Sequence, residues 1–179
     1  MAAAKSFVIV ALFAGSLIWT AALGRPDGRY HIWNVSTRSQ LSLLIKSPLG
    51  NFAVVNPASS KVLPALSERL PFYDREIDLK IVTGSNSSDK LSQYFRVGEV
   101  WNLAQEDISK GNLSSQREWE GVSFQSWSVV RQGIFIRLTA AGHSLIYLSQ
   151  KDGSFWEAVP YDKNADAIIS SPSETEIVW

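Results

Sequence analysis

After residue 24 the chain alternates apolar and polar positions in short runs, and before that point it carries one unbroken apolar run. Residues 6–23 pass without a charge, with Lys5 before them and Arg25 after. An apolar helix needs about 20 residues to cross the hydrocarbon layer, so this run predicts a single membrane-spanning helix at the short end of that range. Phe7, Val8, Ile9, Leu12, Phe13, Leu17 and Ile18 are its apolar body, and Trp19 suits the interface. The competing reading is a cleaved signal peptide with Lys5 as its charged start, for which Ala22-Leu23-Gly24 is a poor cleavage site. The anchor is the favoured expectation, single-pass, with the remainder outside the cytoplasm.

Behind it, residues 24–28 (Gly-Arg-Pro-Asp-Gly) form a turn-rich linker. Residues 30–35, 41–46 and 52–55 predict strands, with Ser47-Pro48-Leu49-Gly50 turning the last two into a hairpin. Val62, Leu63, Leu66 and Leu70 keep a helical spacing over 59–70. Ser60 is the expected cap, Pro64 falls in the early turns where proline is tolerated, and Pro71 stops the helix. Residues 77–82 predict a half-buried strand with Asp78 and Lys80 on its polar face. A polar loop follows over 83–89, then a helix over 88–95 capped by Ser87 or Ser88, then a strand over 97–103. Residues 105–121 read as a polar loop. Strands over 123–130, 133–138 and 144–148 follow, with a turn at 140–143, and 167–170 is read as the final strand. Helices alternate with strands early and strands succeed one another late. That order predicts an α/β (or α+β) domain over 30–179, a mixed sheet sandwich with helices on its outer face.

Composition narrows the chemistry. The chain is 45% apolar, enough for a core. Lys plus Arg and Asp plus Glu are 17 each, so no basic excess argues for nucleic acid. There is no cysteine, which removes thiol catalysis and thiolate metal sites. The two histidines are His31 and His143, and no G-x-S-x-G elbow or Gly-rich phosphate loop accompanies them. His31 on the first strand reads as structural, and Asp74-Arg75-Glu76 with Asp78 as a solvated turn. Arg38, Lys46, Lys61, Arg69, Arg75, Lys80 and Lys90 are spread along the first half. With exposed aromatics they could grip single-stranded DNA, against the alternative of scattered solubilising charge.

Several motifs keep one order. Arg25-Pro26-Asp27-Gly28 precedes the strand at Tyr30-His31-Ile32-Trp33-Asn34-Val35, and Ser47-Pro48-Leu49-Gly50 precedes Ala53-Val54-Val55-Asn56. Leu70-Pro71-Phe72-Tyr73-Asp74-Arg75-Glu76-Ile77-Asp78-Leu79 leads to a strand ending at Thr83, and Arg96-Val97-Gly98-Glu99-Val100 follows. In this order they resemble the extracytoplasmic metallo-β-lactamase-like domain of the ComEC-type competence DNA-uptake channels. The resemblance runs from Gly24 to Val100 and fades beyond residue 120, where this chain is shorter. It implies a truncated metallo-β-lactamase-like fold with a metal loop directly after Thr83. The departures fall on that loop. Gly84, Asn86, Ser88 and Asp89 stand where the family has its H-x-[HD]-x-D-H ligands. Asn34-Val35-Ser36-Thr37-Arg38-Ser39 replaces D-V-G-Q-G-D, and the later metal aspartate is represented only by a displaced Asp152. The expectation is a degenerate domain with no cofactor, no metal and no catalytic residues. Its partners would be membrane lipid, through the N-terminal helix, and an envelope protein. A DNA-contacting accessory role is the alternative, and a hydrolase with an unrecognised site the last.

Overall fold

The computed structural model describes residues 12, 14–15, 18, 26–37, 40–71, 73–83, 90–103, 113–129, 133–148, 165–169 and 175–179. Of the N-terminal run, Leu12, Ala14, Gly15 and Ile18 are helical, and Leu12 and Ile18 are each 70% exposed. Phe7, Val8, Ile9, Phe13, Leu17 and Trp19 lie outside the described residues. Among the described residues no helix is long and apolar enough to cross a membrane.

Among the described residues eleven strands form two sheets. The first contains β1 (His31–Asn34), β2 (Leu43–Lys46), β3 (Phe52–Val55), β4 (Glu76–Val82), β5 (Arg96–Asn102) and β11 (Glu176–Val178), in the order β11-β1-β2-β3-β4-β5. The second contains β6 (Leu113–Trp119), β7 (Val122–Val129), β8 (Gly133–Ala140), β9 (His143–Leu148) and β10 (Ala167–Ile169), in the order β10-β9-β8-β7-β6. The hairpin β2–β3 is antiparallel, whereas β3, β4 and β5 run parallel. Parallel neighbours need crossovers, and the helices Val62–Arg69 and Leu91–Tyr94 supply them. Period-two alternation sends Leu43, Ile45, Ala53, Val55, Leu79 and Ile81 into the core between the sheets, against Phe124, Ile136, Leu138 and Leu145. Leu44 and Val54 face the other way, onto Val62, Leu66 and Leu91 of the helices. Strands covered on both faces become continuously apolar, which is why β2 and β3 are buried throughout.

That covering corrects the expected polar face of β4. Lys80 pairs in register with Val54 on the helix side and is 8% exposed. Asp78 accepts the Phe52 amide at 2.8 Å. The glycine of Arg96-Val97-Gly98-Glu99-Val100 has a steric reason, since a Cβ there would lie 2.9 Å from the Asp78 carbonyl oxygen. The first helix starts at Val62 rather than 59, and Ser60 does not cap it. Its preceding residue is Lys61, with no side-chain cap. Ser59 instead donates its hydroxyl to Val35 O at 2.7 Å. Leu70 is extended and ends the helix, as the residue before a proline tends to. The second helix is only Leu91–Tyr94, also without a side-chain cap; Ser87 and Ser88 lie outside the described residues.

Two strands correct the reading of the second half. Residues 113–119 of the expected polar loop form β6, an edge strand paired with β7 on one side. Likewise 167–170 is not the final strand, because β11 follows and pairs with β1. Tyr30 and Trp179 exchange backbone hydrogen bonds at 3.0 and 2.9 Å, closing the described C-terminal strand onto the start of β1.

Candidate functional site

Strand register divides the domain into two ends. Asn34, Leu43, Val55 and Ile81 share one level, at the carboxyl end of the parallel strands; His31, Lys46 and Phe52 share the other, at their amino end. The resemblance places its metal loop at the carboxyl end, where β4 runs out at Thr83. Gly84, Asn86, Ser88 and Asp89 lie outside the described residues, as does Asp152.

Among the described residues, that end holds a neutral network of mutually bonded groups. Asn34 Oδ1 accepts the Ser36 amide and the Ser36 hydroxyl. Ser36 Oγ in turn accepts the Ser42 amide at 2.8 Å, and Ser42 donates its hydroxyl to Asn56 O. Asn56 holds a left-handed backbone (φ 52°), which asparagine tolerates, and its Nδ2 donates to Leu41 O at 2.7 Å. Tyr147 reaches across from the second sheet and donates its hydroxyl to the same carbonyl at 2.6 Å. Burial pushes the Tyr147 phenol well above its ordinary range, so it stays a neutral donor. Buried polar atoms with such partners are stable where they are, and amide and hydroxyl groups already committed to one another are poor metal donors.

The imidazoles stand elsewhere. His31 is three residues from Asn34 along β1, about 10 Å at strand rise. It is bracketed by two carboxylates, with Nδ1 2.8 Å from Glu176 Oε1 and Nε2 2.6 Å from Asp27 Oδ2. Desolvation acts to raise the Asp27 carboxyl, but its hydrogen bonds to His31 and to the Arg29 amide outweigh that and hold it below the ordinary range. His143 opens β9 at the end opposite Tyr147, stacks on Trp179 and lies 3.7 Å from Asp166 Oδ2. A catalytic zinc needs about three nitrogen or oxygen ligands converging around an open position. Both histidines of the chain are at the far end from Thr83, and residues 84–89 contribute a single carboxylate, Asp89. Among the described residues no three His, Cys, Asp or Glu side chains converge to hold a metal. The donors among the described residues do not fit a catalytic zinc.

A different feature offers binding chemistry. A groove of about 550 Å³ runs between the helix Val62–Arg69 and the β1–β11 edge, lined by Trp33, Lys61, Ala65, Glu68, Arg69 and Glu176. The Arg69 guanidinium sits 4.9 Å from the Trp33 ring centroid and donates to Glu68 at 3.0 Å. Trp33 stacks with His31 and with Phe52, with centroids at 5.4 and 6.4 Å. A smaller cavity of about 300 Å³ continues over Asp27, His31 and Lys46. Nothing in the local sequence marked this groove. Its walls come from chain positions far apart, Trp33, the helix and Glu176.

The described ones among the seven cations named from the sequence do not form one patch, although Lys61 and Arg69 share the groove and Lys46 and Arg69 the smaller cavity. Lys46 and Lys80 are buried, Lys61 and Arg69 line the groove, Arg75 and Lys90 are exposed elsewhere, and Arg38 lies outside the described residues. Asp74 and Arg75 are exposed in the connection to β4, as expected, and Glu76 is the exposed first residue of β4; Asp78, expected with them in a solvated turn, is instead half-buried within β4. Of the tryptophans, Trp101 is in the inter-sheet core with Arg117 over its ring, and Trp119 and Trp179 pack against that core.

No family model and no curated protein matches the chain. Among solved structures it is similar to YhfI of Bacillus subtilis, a metallo-β-lactamase fold protein. There the identity is 11% and the TM-score 0.54, over 78% of this chain and 70% of that one. Weaker likenesses, each with a TM-score of 0.40, are to a metallo-β-lactamase superfamily protein of Thermotoga maritima and to Zn²⁺-bound PqqB of Methylobacterium extorquens. Identity to these is 9% and 15%, over 67% and 64% of this chain and 49% and 50% of theirs. The likeness to YhfI shows the fold, a mixed, sheet-rich metallo-β-lactamase-type arrangement with few helices.

Proposed function

We propose that this chain is a non-catalytic binding or scaffolding subunit of the cell envelope, a metallo-β-lactamase-like domain held at the membrane by its N-terminal apolar segment. The observation that carries the reading is the neutral network of Asn34, Ser36, Ser42, Asn56 and Tyr147 at the end where the fold's metal chemistry belongs, with both imidazoles at the other end. A site that hydrolyses through zinc-bound water needs imidazole and carboxylate ligands to hold the ion and acidify the water. This end supplies hydrogen-bond donors and acceptors turned on each other. The Trp33–Arg69 groove is a surface that can act, and an aromatic floor with paired charges suits a peptide segment of an envelope protein.

The test is metal content and turnover on the full chain. After incubation with Zn²⁺ and removal of free ion, elemental analysis is expected to find far less than one zinc per chain and no phosphodiesterase activity. Zinc near one per chain, with turnover lost in Asp89→Ala, overturns the reading. Mild-detergent pull-down from the native membrane is expected to recover a stoichiometric membrane partner, and Trp33→Ala to lose it.

Single-stranded DNA is the second reading, favoured by Lys61 and by the guanidinium–indole stack of Arg69 on Trp33. Glu68 and Glu176 line the same groove and weigh against a polyanion. Salt-sensitive binding of single strands by the full chain would favour this reading over the first.

A further inference from the structure

We infer that the Trp33 groove receives a basic side chain of its peptide and that His31 regulates this, clasping Glu176 while protonated and releasing it into the groove when the proton is lost. This rests on the proposal that the groove binds a peptide segment.

The clasp follows from the hydrogen-bond chemistry of His31. Both ring nitrogens are engaged, Nδ1 with Glu176 Oε1 at 2.8 Å and Nε2 with Asp27 Oδ2 at 2.6 Å. An ionised carboxylate only accepts, so both contacts are hydrogen bonds only while both nitrogens carry a proton. A neutral ring keeps one N–H and turns a lone pair toward the other carboxylate. Glu176 is the partner that lets go. Asp27 makes the shorter contact, stands four residues from His31, and is also held by the Arg29 amide on Oδ1 at 3.2 Å. The Glu176 side chain is 47% exposed, and among the described residues it is tied to His31 alone.

The charges around the ring decide what the release does. Asp27 faces His31 from the linker, Lys46 from β2 at the same register level, and Glu176 from β11; Glu68 and Arg69 line the shared cavity from the helix Val62–Arg69. Lys61 stands farther along the groove. Asp78 of β4 is at the level of Phe52 and accepts its amide. Glu68 is already committed to Arg69 at 3.0 Å. While His31 is protonated, both carboxylates of the groove, Glu68 and Glu176, are therefore occupied from within the chain. Loss of that proton frees Glu176, which is the register partner of Trp33, and removes one positive charge from the groove wall. A free carboxylate beside an indole is chemistry that receives an ammonium or guanidinium group. A polyanion would respond with the opposite sign, binding less well as the proton leaves.

The chain has two histidines, so a His143→Gln background leaves His31 as the one imidazole. The full-length protein in that background would be titrated with a fluorescent penta-lysine peptide, whose charge is constant over the range. From about pH 5 to about pH 8, where histidines as a class change charge, affinity is expected to rise roughly three- to fivefold, the scale of one partly exposed ion pair. His31→Gln and Glu176→Gln should each flatten that dependence, and Trp33→Ala should weaken binding at both ends of the range. Imidazole nitrogen NMR gives a second readout, with both ring nitrogens protonated in acid and one at the upper pH. Binding that is lost with Trp33→Ala but keeps its pH dependence in His31→Gln overturns the clasp and leaves the groove reading standing. Binding indifferent to Trp33→Ala overturns the groove reading and the clasp with it. No binding of the peptide at either pH overturns the choice of a basic segment. So does an oligothymidylate bound in its place and held more tightly in acid, which would assign the groove to single-stranded DNA.

Discussion

The two ends of the first sheet are built from opposite materials. At the carboxyl end Asn34, Ser36, Ser42, Asn56 and Tyr147 form a neutral lattice whose acceptors are filled by the fold's own donors. At the amino end Asp27, His31, Glu176, Glu68 and Arg69 bring charge onto a stacked aromatic floor, and much of it is open to water. The family resemblance would put its metal ligands at the first of these ends, directly after Thr83. Here both histidines stand at the second. The difference teaches that one sheet can carry neutral, mutually bonded groups at one end and charged groups at the other. Neutral groups need only one another, whereas a cluster of unpaired ligands without an ion would repel and cost stability.

The sharpest way to break this contrast is to return a carboxylate to the neutral end. Asn56→Asp keeps shape but turns an amide that donates to Leu41 O into a carboxylate facing that carbonyl. Two acceptors then meet in a half-buried place. The expected loss is about 2–3 kcal/mol, the cost of an unsatisfied buried polar or charged group. Urea unfolding of the full chain measures it. A loss indistinguishable from zero would mean that this end still accepts ionised ligands, and the contrast would fail. Tyr147→Phe probes the same carbonyl more gently. It removes a hydroxyl donated at 2.6 Å, but Asn56 still serves Leu41 O. A loss of about 1 kcal/mol is expected, near the net worth of one hydrogen bond. In the double variant Tyr147→Phe with Asn56→Ala the carbonyl loses both donors, and the combined loss should exceed the sum of the two single losses.

How far the sequence revealed this depends on distance along the chain. Local signals were readable. Ser47-Pro48-Leu49-Gly50 marks its hairpin turn, and Pro71 its helix stop. Ala141-Gly142, with φ of 50° and 82°, makes the two-residue turn that joins β8 to β9. Signals were missing where a strand has no apolar alternation. Over 116–118 the strand β6 carries Gln, Arg and Glu, because an edge strand with one face in water does not need an apolar repeat. Lys80 was misread because the covering helix is not encoded in the strand it buries. At the candidate site, composition states that the chain has two histidines and no cysteine. That Glu176 meets His31 was not legible there, since 145 residues separate them and only the β1–β11 pairing joins them. The groove over Trp33 inherits the same long-range origin.

The smallest predicted effect tests the charged end and has a sign that pH can check. Asp27 is held below the ordinary carboxylate range. Its desolvation works upward, but the hydrogen bonds from His31 and the Arg29 amide, with the attraction of His31, prevail. A carboxyl whose pKa is depressed in the fold adds stability above its unfolded pKa, and that contribution is lost as pH falls through the folded value. The window therefore opens near the ordinary value of 3.8 and extends below it. Asp27→Ala removes the group at every pH. Wild type and variant should differ slightly in urea midpoint at pH 6, the effect being small because the Asp27 side chain is 42% exposed and screened. Moving to pH 3 and below, the wild-type midpoint should fall toward that of the variant until the two coincide. The neutral end has no reason to follow, so the decrement from Tyr147→Phe should be the same at both pH values. A gap at Asp27 that widens in acid, or a Tyr147→Phe decrement that changes with pH over that range, would mean the two ends are not divided by charge in the way the geometry describes.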